Sequence, residues 1–214
     1  MIKENVKRIL SRIPPGVEVV AATKSRTVDE INQAIEAGIE AVGENYVQEA
    51  EAKFRLMKAN FQRHFIGHLQ RNKVKKAVEI FDIIQTVDSF QIAQEINKTA
   101  SSRGKIMSVL IEINSAGEKQ KFGVLIEETE RLIEKICNLK SVKIQGLMTM
   151  GPFLDNPQEL RPYFSKVRKL FEGIKSLDFP DLDLRYLSMG MSDSYQVAIE
   201  EGANLVRIGT AIFK

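Results

Sequence analysis

The apolar residues of the chain fall into two patterns that alternate from one end to the other. Eight short runs are apolar and rich in β-branched residues, which predicts strands that are buried on both faces, as in a parallel sheet. Between these runs the apolar residues recur at helical spacing, so each of the first seven predicted strands is followed by a helix. The predicted strands are residues 17–24, 39–43, 64–67, 83–87, 106–113, 142–150, 184–187 and 204–208.

Several local signals predict where the helices begin and end. An amphipathic helix covers the first dozen residues and ends at Pro14-Pro15, because proline cannot continue a helix. Thr27 and Glu30 have the spacing of a capping box at the start of the helix after the first strand. Asn156-Pro157 predicts the N-cap and first position of a long helix, and Ser192 is the predicted N-cap of a short one.

Eight strands that alternate with helices, with no flexible linker between them, predict one closed (β/α)8 TIM barrel that spans residues 1–214 as a single domain. An open, doubly wound sheet is the competing architecture. The chain ends six residues after the last predicted strand, so we expect the eighth helix to be missing. The N-terminal helix, with Ile2, Val6 and Ile9 on one side, is expected to pack near the first and last strands and cover part of the surface left open there.

Composition excludes some classes of function. Hydrophobic residues make up 43% of the 214 positions and charged residues 28%, which is ordinary for a globular protein, and the net charge is only +3. Charges of both signs are mixed without a basic stripe, so no nucleic-acid partner is predicted. A single cysteine and no long apolar segment predict a cytoplasmic protein without disulfides or a membrane anchor.

In a barrel the carboxyl ends of all eight strands meet at one mouth, so polar residues there become neighbours. Lys24 follows the first strand, and partial burial would favour the neutral amine that attacks a carbonyl group. Gly209 and Thr210 follow the last strand, and their amides, with hydroxyls of Thr210, Ser188 and Ser192, are suited to binding phosphate. With the lysine placed across the mouth, this set predicts a phosphorylated carbonyl ligand. The other polar residues at predicted strand ends are Glu44, Asn45, His68, Asp88, Asn114, Thr149 and Arg207.

Six stretches together resemble the pyridoxal-phosphate homeostasis protein family, also called YggS/PROSC, and they cover essentially the whole chain in order. They are residues 19–24 (VVAATK), 43–49 (GENYVQE), 65–73 (FIGHLQRNK), 146–151 (GLMTMG), 187–192 (LSMGMS) and 206–213 (VRIGTAIF). The resemblance implies a single barrel of the kind found in the N-terminal domain of alanine racemase. It also implies a protein that binds pyridoxal 5′-phosphate (PLP) and has no established catalytic turnover.

The resemblance also implies roles for individual residues. Lys24 matches the family lysine that forms a Schiff base with PLP, and Arg207 matches the arginine that faces the pyridine nitrogen. Gly209 and Thr210 match the phosphate-binding turn, with Ser188 and Ser192 nearby. Two further matches at the pocket are Asn45, beside the cofactor ring, and His68. Because a guanidinium stays charged, it disfavours protonation of the ring nitrogen and makes PLP a weaker electron sink, which suits a carrier.

The favoured hypothesis is a PLP carrier that delivers the cofactor to apo-enzymes. Two enzymatic alternatives stay open. A racemase-like PLP enzyme would need a second catalytic base and a partner domain of the alanine racemase kind, whose absence from the sequence favours a monomeric carrier. A Schiff-base aldolase would need carboxylates near Lys24, and Glu44 and Asp88 are the candidates.

His64 and His68 flank a strand and lack a carboxylate at fitting spacing, so no metal site is predicted. Lys121 is a hypothetical participant in PLP transfer.

Overall fold

The computed structural model describes residues 1–177, 179 and 182–214, and within them eight parallel strands close into a barrel. Each strand pairs with the next along the chain, and the last strand pairs with the first through Ala21 and Ile208. The prediction of a closed barrel is therefore confirmed, and the open sheet is excluded. The strands are β1 (Glu18–Ala22), β2 (Ala41–Glu44), β3 (Gln62–Phe65), β4 (Ile83–Val87), β5 (Met107–Glu112), β6 (Val142–Met148), β7 (Tyr186–Ser188) and β8 (Leu205–Ile208).

The described residues also form nine α-helices, one before the barrel and one after each strand. They are α1 (Ile2–Leu10), α2 (Val28–Glu36), α3 (Val47–Phe54), α4 (Val74–Ile80), α5 (Phe90–Ser101), α6 (Thr129–Cys137), α7 (Arg161–Lys175), α8 (Tyr195–Glu200) and α9 (Thr210–Phe213). The prediction that the eighth strand lacks a helix is wrong, since α9 supplies one turn there. Single 3₁₀ turns precede three of these helices, at Arg71–Lys73, Ile126–Glu128 and Pro157–Leu160.

The predicted helix starts have different outcomes. The capping box of α2 is confirmed, because the Thr27 hydroxyl accepts a hydrogen bond from the Glu30 amide and the Glu30 carboxylate accepts one from the Thr27 amide. Asn156 caps the amide of Gln158, but the segment starts as a 3₁₀ turn before α7. Ser192 does not cap α8, because Ser194 occupies the N-cap position.

Two apolar clusters fill the fold. The larger one lies between the sheet and the surrounding helices and contains most of the buried aliphatic and aromatic residues. The smaller one lies inside the barrel, because strands contribute to it through residues on their inner face. Its buried members are Val20, Ala41, Ile83, Leu110, Met148 and Leu205. Above this apolar layer, toward the carboxyl ends of the strands, the interior becomes polar.

Helix α1 packs against α2 and α9, the helices that follow the first and last strands. Its residues Val6 and Ile9 are buried, and Asn5 Nδ2 donates to the carbonyl oxygens of Ile212 and Lys214 at 3.1 and 2.9 Å. The expected position of the N-terminal helix is thus confirmed. In the described part of the chain, no helix has the length and apolar character needed to cross a membrane.

Candidate functional site

Lys24 lies in a tight turn two residues beyond the end of β1. The turn closes with a hydrogen bond from the Arg26 amide to the Thr23 carbonyl oxygen at 3.0 Å, and Ser25 has a positive φ of 61°. A non-glycine residue in this left-handed region costs free energy, and such strain is concentrated at functional sites. Lys24 is exposed, so the partial burial that would favour its neutral amine is not observed.

A partly buried ionic cluster centred on Lys53 holds this turn in place. Lys53 Nζ donates to the Thr23 carbonyl oxygen at 2.7 Å, to Glu44 Oε1 at 2.8 Å and to Glu49 Oε1 at 2.6 Å. The Thr23 hydroxyl donates to Glu44 Oε1, and the Ser25 amide donates to Glu49 Oε1. Burial raises the pKa of Glu44, while its bonds to Lys53 and Thr23 lower it. Glu44 was an acid/base candidate in the aldolase hypothesis. In the structure its carboxylate instead accepts hydrogen bonds that hold the turn in place.

The turn after β8 adjoins the end of β1. A Cβ atom on Gly209 would lie 3.2 Å from the Ala22 carbonyl oxygen, so glycine allows the two strand ends to approach closely. The Ser192 hydroxyl oxygen accepts hydrogen bonds from the amides of Gly209 and Ala211, each at 3.2 Å. Because β8 pairs directly with β1, this turn is beside Lys24, and the predicted position across the mouth is wrong. Thr210 is exposed and begins α9.

Arg207 lies inside the barrel, with only 3% of its surface exposed. Its Nη1 donates to the Ser188 hydroxyl at 2.5 Å, and its Nη2 donates to the Thr149 carbonyl oxygen at 2.8 Å. Burial lowers the pKa of Arg207 to about 10, against the opposing effect of Glu112, so the guanidinium is charged at neutral pH. Ser188 is fully buried and its hydroxyl is engaged beneath Arg207. The structure therefore places Ser188 away from the role expected for it in the phosphate-binding turn.

Glu112 is a site residue that the sequence reasoning missed. It is the last residue of β5, it is 7% exposed, and its Oε2 atom has no hydrogen-bond partner among the described residues. Burial and the charge of Asp88 raise the pKa of Glu112 to about 7, whereas Arg207 lowers it. The available signal was an acidic residue inside an otherwise apolar strand, which has to face either the core or the barrel interior.

A cavity of about 370 Å³ opens between the loops that follow β5 and β6. Glu112 and Thr149 form part of its lining, and the exposed rings of Phe122 and Phe153 lie at the surface side. Lys121, the residue considered for PLP transfer, also lines the cavity and donates to the Gly151 carbonyl oxygen at 3.2 Å. The mouth therefore continues beyond the β1 and β8 ends toward β5 and β6.

Asn45 and His68 occupy a separate side of the mouth, where β2 and β3 end. Asn45 is half-buried, and Gly67 approaches its backbone so closely that a Cβ atom there would clash with the Asn45 carbonyl oxygen. His68 is 36% exposed; its ring stacks on Phe122 with 3.6 Å between centroids, and its Nδ1 is 3.9 Å from Asp88 Oδ2. The loops after β3 and β5 therefore meet over the mouth.

The mouth thus combines a lysine amine, a turn whose Gly209 and Ala211 amides converge on the Ser192 hydroxyl, and a buried guanidinium. The side of the mouth formed by β1 and β8 brings together Lys24, Gly209, Thr210 and Ser192. Arg207 lies in the barrel interior below them. This arrangement suits a ligand that carries a carbonyl group and an anionic group. Among the described residues, no group of three or more His, Cys, Asp or Glu side chains is placed to hold a metal ion.

Residues 1–214 match the family model for the alanine racemase N-terminal domain. A pyridoxal phosphate homeostasis protein of Aquifex aeolicus is 39% identical over 221 residues, which cover 98% of this chain and 96% of that protein. PipY of Synechococcus elongatus, solved with PLP bound, has a TM-score of 0.92 at 31% identity, and the match covers both chains completely. An alanine racemase of Clostridium difficile has a TM-score of 0.80 at 13% identity, with 99% of this chain and 55% of that one covered, which shows a shared barrel fold.

Proposed function

The chain belongs to the pyridoxal phosphate homeostasis protein family, and from this premise we propose that it binds PLP at the barrel mouth and serves in PLP homeostasis. In this proposal PLP is held covalently on Lys24, and the protein delivers it to PLP-dependent apo-enzymes through transient contacts. Solved PipY with PLP bound, which matches the entire chain, is the relative that supports the choice of ligand.

The observation that carries the proposal is the contact between the end of β1 and the turn after β8. It brings an exposed lysine and a turn with several backbone amides to the same side of the mouth, as a phosphorylated aldehyde requires. Gly209 is the residue that permits this contact, because any side chain there would press on Ala22. The residues present therefore fit PLP.

Each group then has a defined task. When bound, PLP would supply an aldehyde group, and Lys24 would supply the amine that holds it. Gly209, Thr210 and Ser192 would hold the phosphate, and Asn45 and His68 would lie near the ring on the β2 and β3 side. Arg207, fixed by Ser188 and Thr149, would keep a positive charge by the ring nitrogen and so disfavour its protonation. This weakens carbanion chemistry, which supports a carrier rather than a catalyst.

One observation favours a second candidate, a racemase-like PLP enzyme. Glu112 is a buried carboxyl group with a pKa of about 7 beside a cavity at the same mouth, and such a group is suited to proton transfer. If this candidate is correct, the PLP-loaded protein should racemise a small amino acid at an ordinary enzymatic rate, on the order of one per second. The carrier proposal expects no such turnover, together with recovery of activity when the loaded protein is mixed with an apo-enzyme.

The decisive experiment is a titration of the purified protein with PLP, followed by borohydride reduction and mass-spectrometric mapping. We expect the absorption band of a Schiff base and a single modified residue, Lys24. The Lys24→Ala variant should lose the band, and Lys169→Ala, which removes an exposed lysine from α7, should keep it. A wild-type protein without the band, or an adduct on another lysine, would contradict the proposal.

A further inference from the structure

A continuous chain of hydrogen bonds crosses the polar layer inside the barrel and ends on Arg207. The Arg207 guanidinium donates to the Ser188 hydroxyl, which contacts Gln85 Oε1 at 2.7 Å. Gln85 Nε2 lies 2.7 Å from His64 Nδ1, and His64 Nε2 lies 3.1 Å from Gln62 Oε1. Ser188, Gln85 and His64 are buried, with no exposed surface.

With Gln85 Oε1 facing Ser188 and Gln85 Nε2 facing His64, the donors of this chain all point the same way. Because a guanidinium can only donate, Ser188 accepts from Arg207 and donates its own proton to the Gln85 carbonyl oxygen. The amide nitrogen of Gln85 then donates to His64 Nδ1, which must be unprotonated. His64 consequently carries its proton on Nε2 and donates it to Gln62. Burial lowers the pKa of His64 to about 4, so the ring is neutral at pH 7, as this chain of donors requires.

The chain connects the two ends of the barrel. Arg207 belongs to the layer below the mouth, whereas Gln62 is exposed at the first position of β3, at the amino ends of the strands. Ile83 on β4 and Leu205 on β8 belong to the smaller apolar cluster inside the barrel. Gln85 and Arg207 each lie two positions further along the same strand. Alternation along a strand therefore places both residues of each pair inside the barrel.

We infer that Gln85 and His64 are positioning residues, which fix the Arg207 guanidinium through Ser188 in the orientation that the PLP ring requires. This inference rests on the proposed function. Arg207 is a long side chain with no carboxylate within ion-pair distance in the described structure, so its orientation depends on the two acceptors Ser188 and Thr149. A serine hydroxyl rotates freely unless its own proton has an acceptor, and Gln85 is that acceptor. His64 in turn orients the amide of Gln85, since only the observed orientation presents the carbonyl oxygen to Ser188.

Variants at Gln85 test this inference. Gln85→Leu should weaken PLP binding about tenfold, which is ~1.4 kcal/mol, and should change the pH dependence of the absorption spectrum of bound PLP. Gln85→Glu should keep binding near the wild-type level, because a carboxylate still accepts from Ser188. Thr129→Val, which removes a buried hydrogen bond from the hydroxyl of Thr129 to Leu125 outside the barrel, is the control and should leave both readouts unchanged. Unaltered affinity and spectrum in a folded Gln85→Leu protein would overturn the inference.

A second measurement needs no PLP, so it separates this inference from the proposed function. Nitrogen NMR of the cofactor-free wild-type protein should find the proton of His64 on Nε2, and Gln85→Glu should move it to Nδ1, where it can donate to the carboxylate. A wild-type ring that carries its proton on Nδ1 would overturn the inference, even if a variant failed to fold. Unfolding free energies of Gln85→Leu, Ser188→Ala and the double variant should be strongly non-additive, because the two residues act in one chain.

Discussion

Ser192 is a residue whose place at the mouth was predicted from sequence but whose hydrogen bonds were not. It was predicted as a helix cap, yet its oxygen accepts from two amides of the turn after β8. A serine before a short helix is a common cap signal, and a single sequence does not reveal that the turn after a distant strand supplies the donors. Its place beside the phosphate-binding turn was predicted both from its position after the seventh strand and from the resemblance.

We predict that Ser192→Ala weakens binding of PLP by about fivefold to tenfold, because the site loses roughly one hydrogen bond to the charged phosphate. Affinity for pyridoxal, which lacks the phosphate, should hardly change, because Ser192 supports only the phosphate-binding turn. Titration of both ligands by absorbance makes the comparison. Ser194→Ala is not a suitable control, since Ser194 is buried at the start of α8; Ser176→Ala, an exposed position after α7, is preferable. Equal loss of affinity for both ligands would contradict the prediction.

Glu112 is a carboxyl group that burial removes from most of its contact with water. In the folded protein burial raises its pKa to about 7, whereas an unfolded glutamate titrates near 4.5. The folded state therefore binds more protons between these two pH values, and unfolding free energy falls as pH rises through the interval. The cost of ionising Glu112 in the fold reaches about 3 kcal/mol above pH 7.

Glu112→Gln should remove this cost while keeping the shape of the side chain. We predict that the variant gains stability relative to the wild type as pH rises from 4.5 to 7, by about 3 kcal/mol over the interval. Urea unfolding of both proteins at several pH values provides the measurement. Glu127→Gln, at an exposed position, should show no such pH-dependent difference. A constant difference between Glu112→Gln and wild type across this pH range would disprove the assignment.

At the scale of elements, the turn after β1 depends on residues from β2 and α3. Lys53 is only 11% exposed and neutralises Glu44, which is fully buried, while it also binds the backbone of the turn. Removal of one partner from a buried ion pair leaves an uncompensated charge, which costs far more than the pair itself contributes. The position of Lys24 therefore depends on a lysine 29 residues later in the chain.

We predict that Lys53→Met lowers the unfolding free energy at pH 8 by about 3 kcal/mol, because Glu44 is left without its cation. The double variant Lys53→Met, Glu44→Gln should recover part of this loss. Lys76→Met, which breaks an exposed pair with Glu51, should cost far less, because solvent screens that pair. Chemical denaturation of the three variants measures these differences. A cost for Lys53→Met as small as that for Lys76→Met would contradict the prediction.

Most element types and positions could be predicted from sequence, because buried parallel strands are apolar runs and helices show their apolar spacing. β4 matches its predicted bounds, and the capping box places the start of α2 correctly. The carboxyl ends of four strands, β1, β3, β5 and β6, were predicted too long, as at Lys24, because a turn directly after a strand leaves no apolar pattern. Helix α9 was missed because four residues are too few to show periodicity.

At the scale of the whole molecule, the alternation of strands and helices was enough to predict the barrel and the set of residues at its mouth. Closure in chain order makes the first and last strands neighbours, so the turn after β8 lies beside Lys24, and its predicted place opposite Lys24 did not follow from the barrel itself. The interior polar layer also escaped prediction. Gln85 and Glu112 each lie in a strand whose other residues are mostly apolar. The pattern of a single strand does not show that Gln85 meets His64 and Ser188, or that Glu112 lies near Arg207.

Closure of the barrel joins the first strand to the last, and α1 packs on the helices that follow both. Val6 has no exposed surface and belongs to the main apolar cluster. Its side chain therefore stabilises the closure between β1 and β8 and not only helix α1. We predict that Val6→Ala lowers the unfolding free energy by about 2 kcal/mol, which corresponds to a fall in Tm of about 4–8 °C for a chain of this size. Calorimetry measures the change, and Lys7→Ala, on the exposed side of α1, is the control.

The same variant tests whether α1 acts on the closure of the barrel. Because α1 contacts α2 and α9, partial loss of its packing should increase amide hydrogen exchange most at the β1 and β8 pairing, as at Ala21 and Ile208, and least at β4 and β5 on the far side. Lys24 and Gly209 follow these two strands, so Val6→Ala should also weaken PLP binding although Val6 lies outside the mouth. Faster exchange confined to α1, with unchanged binding, would show that the helix only covers the barrel and does not hold it closed.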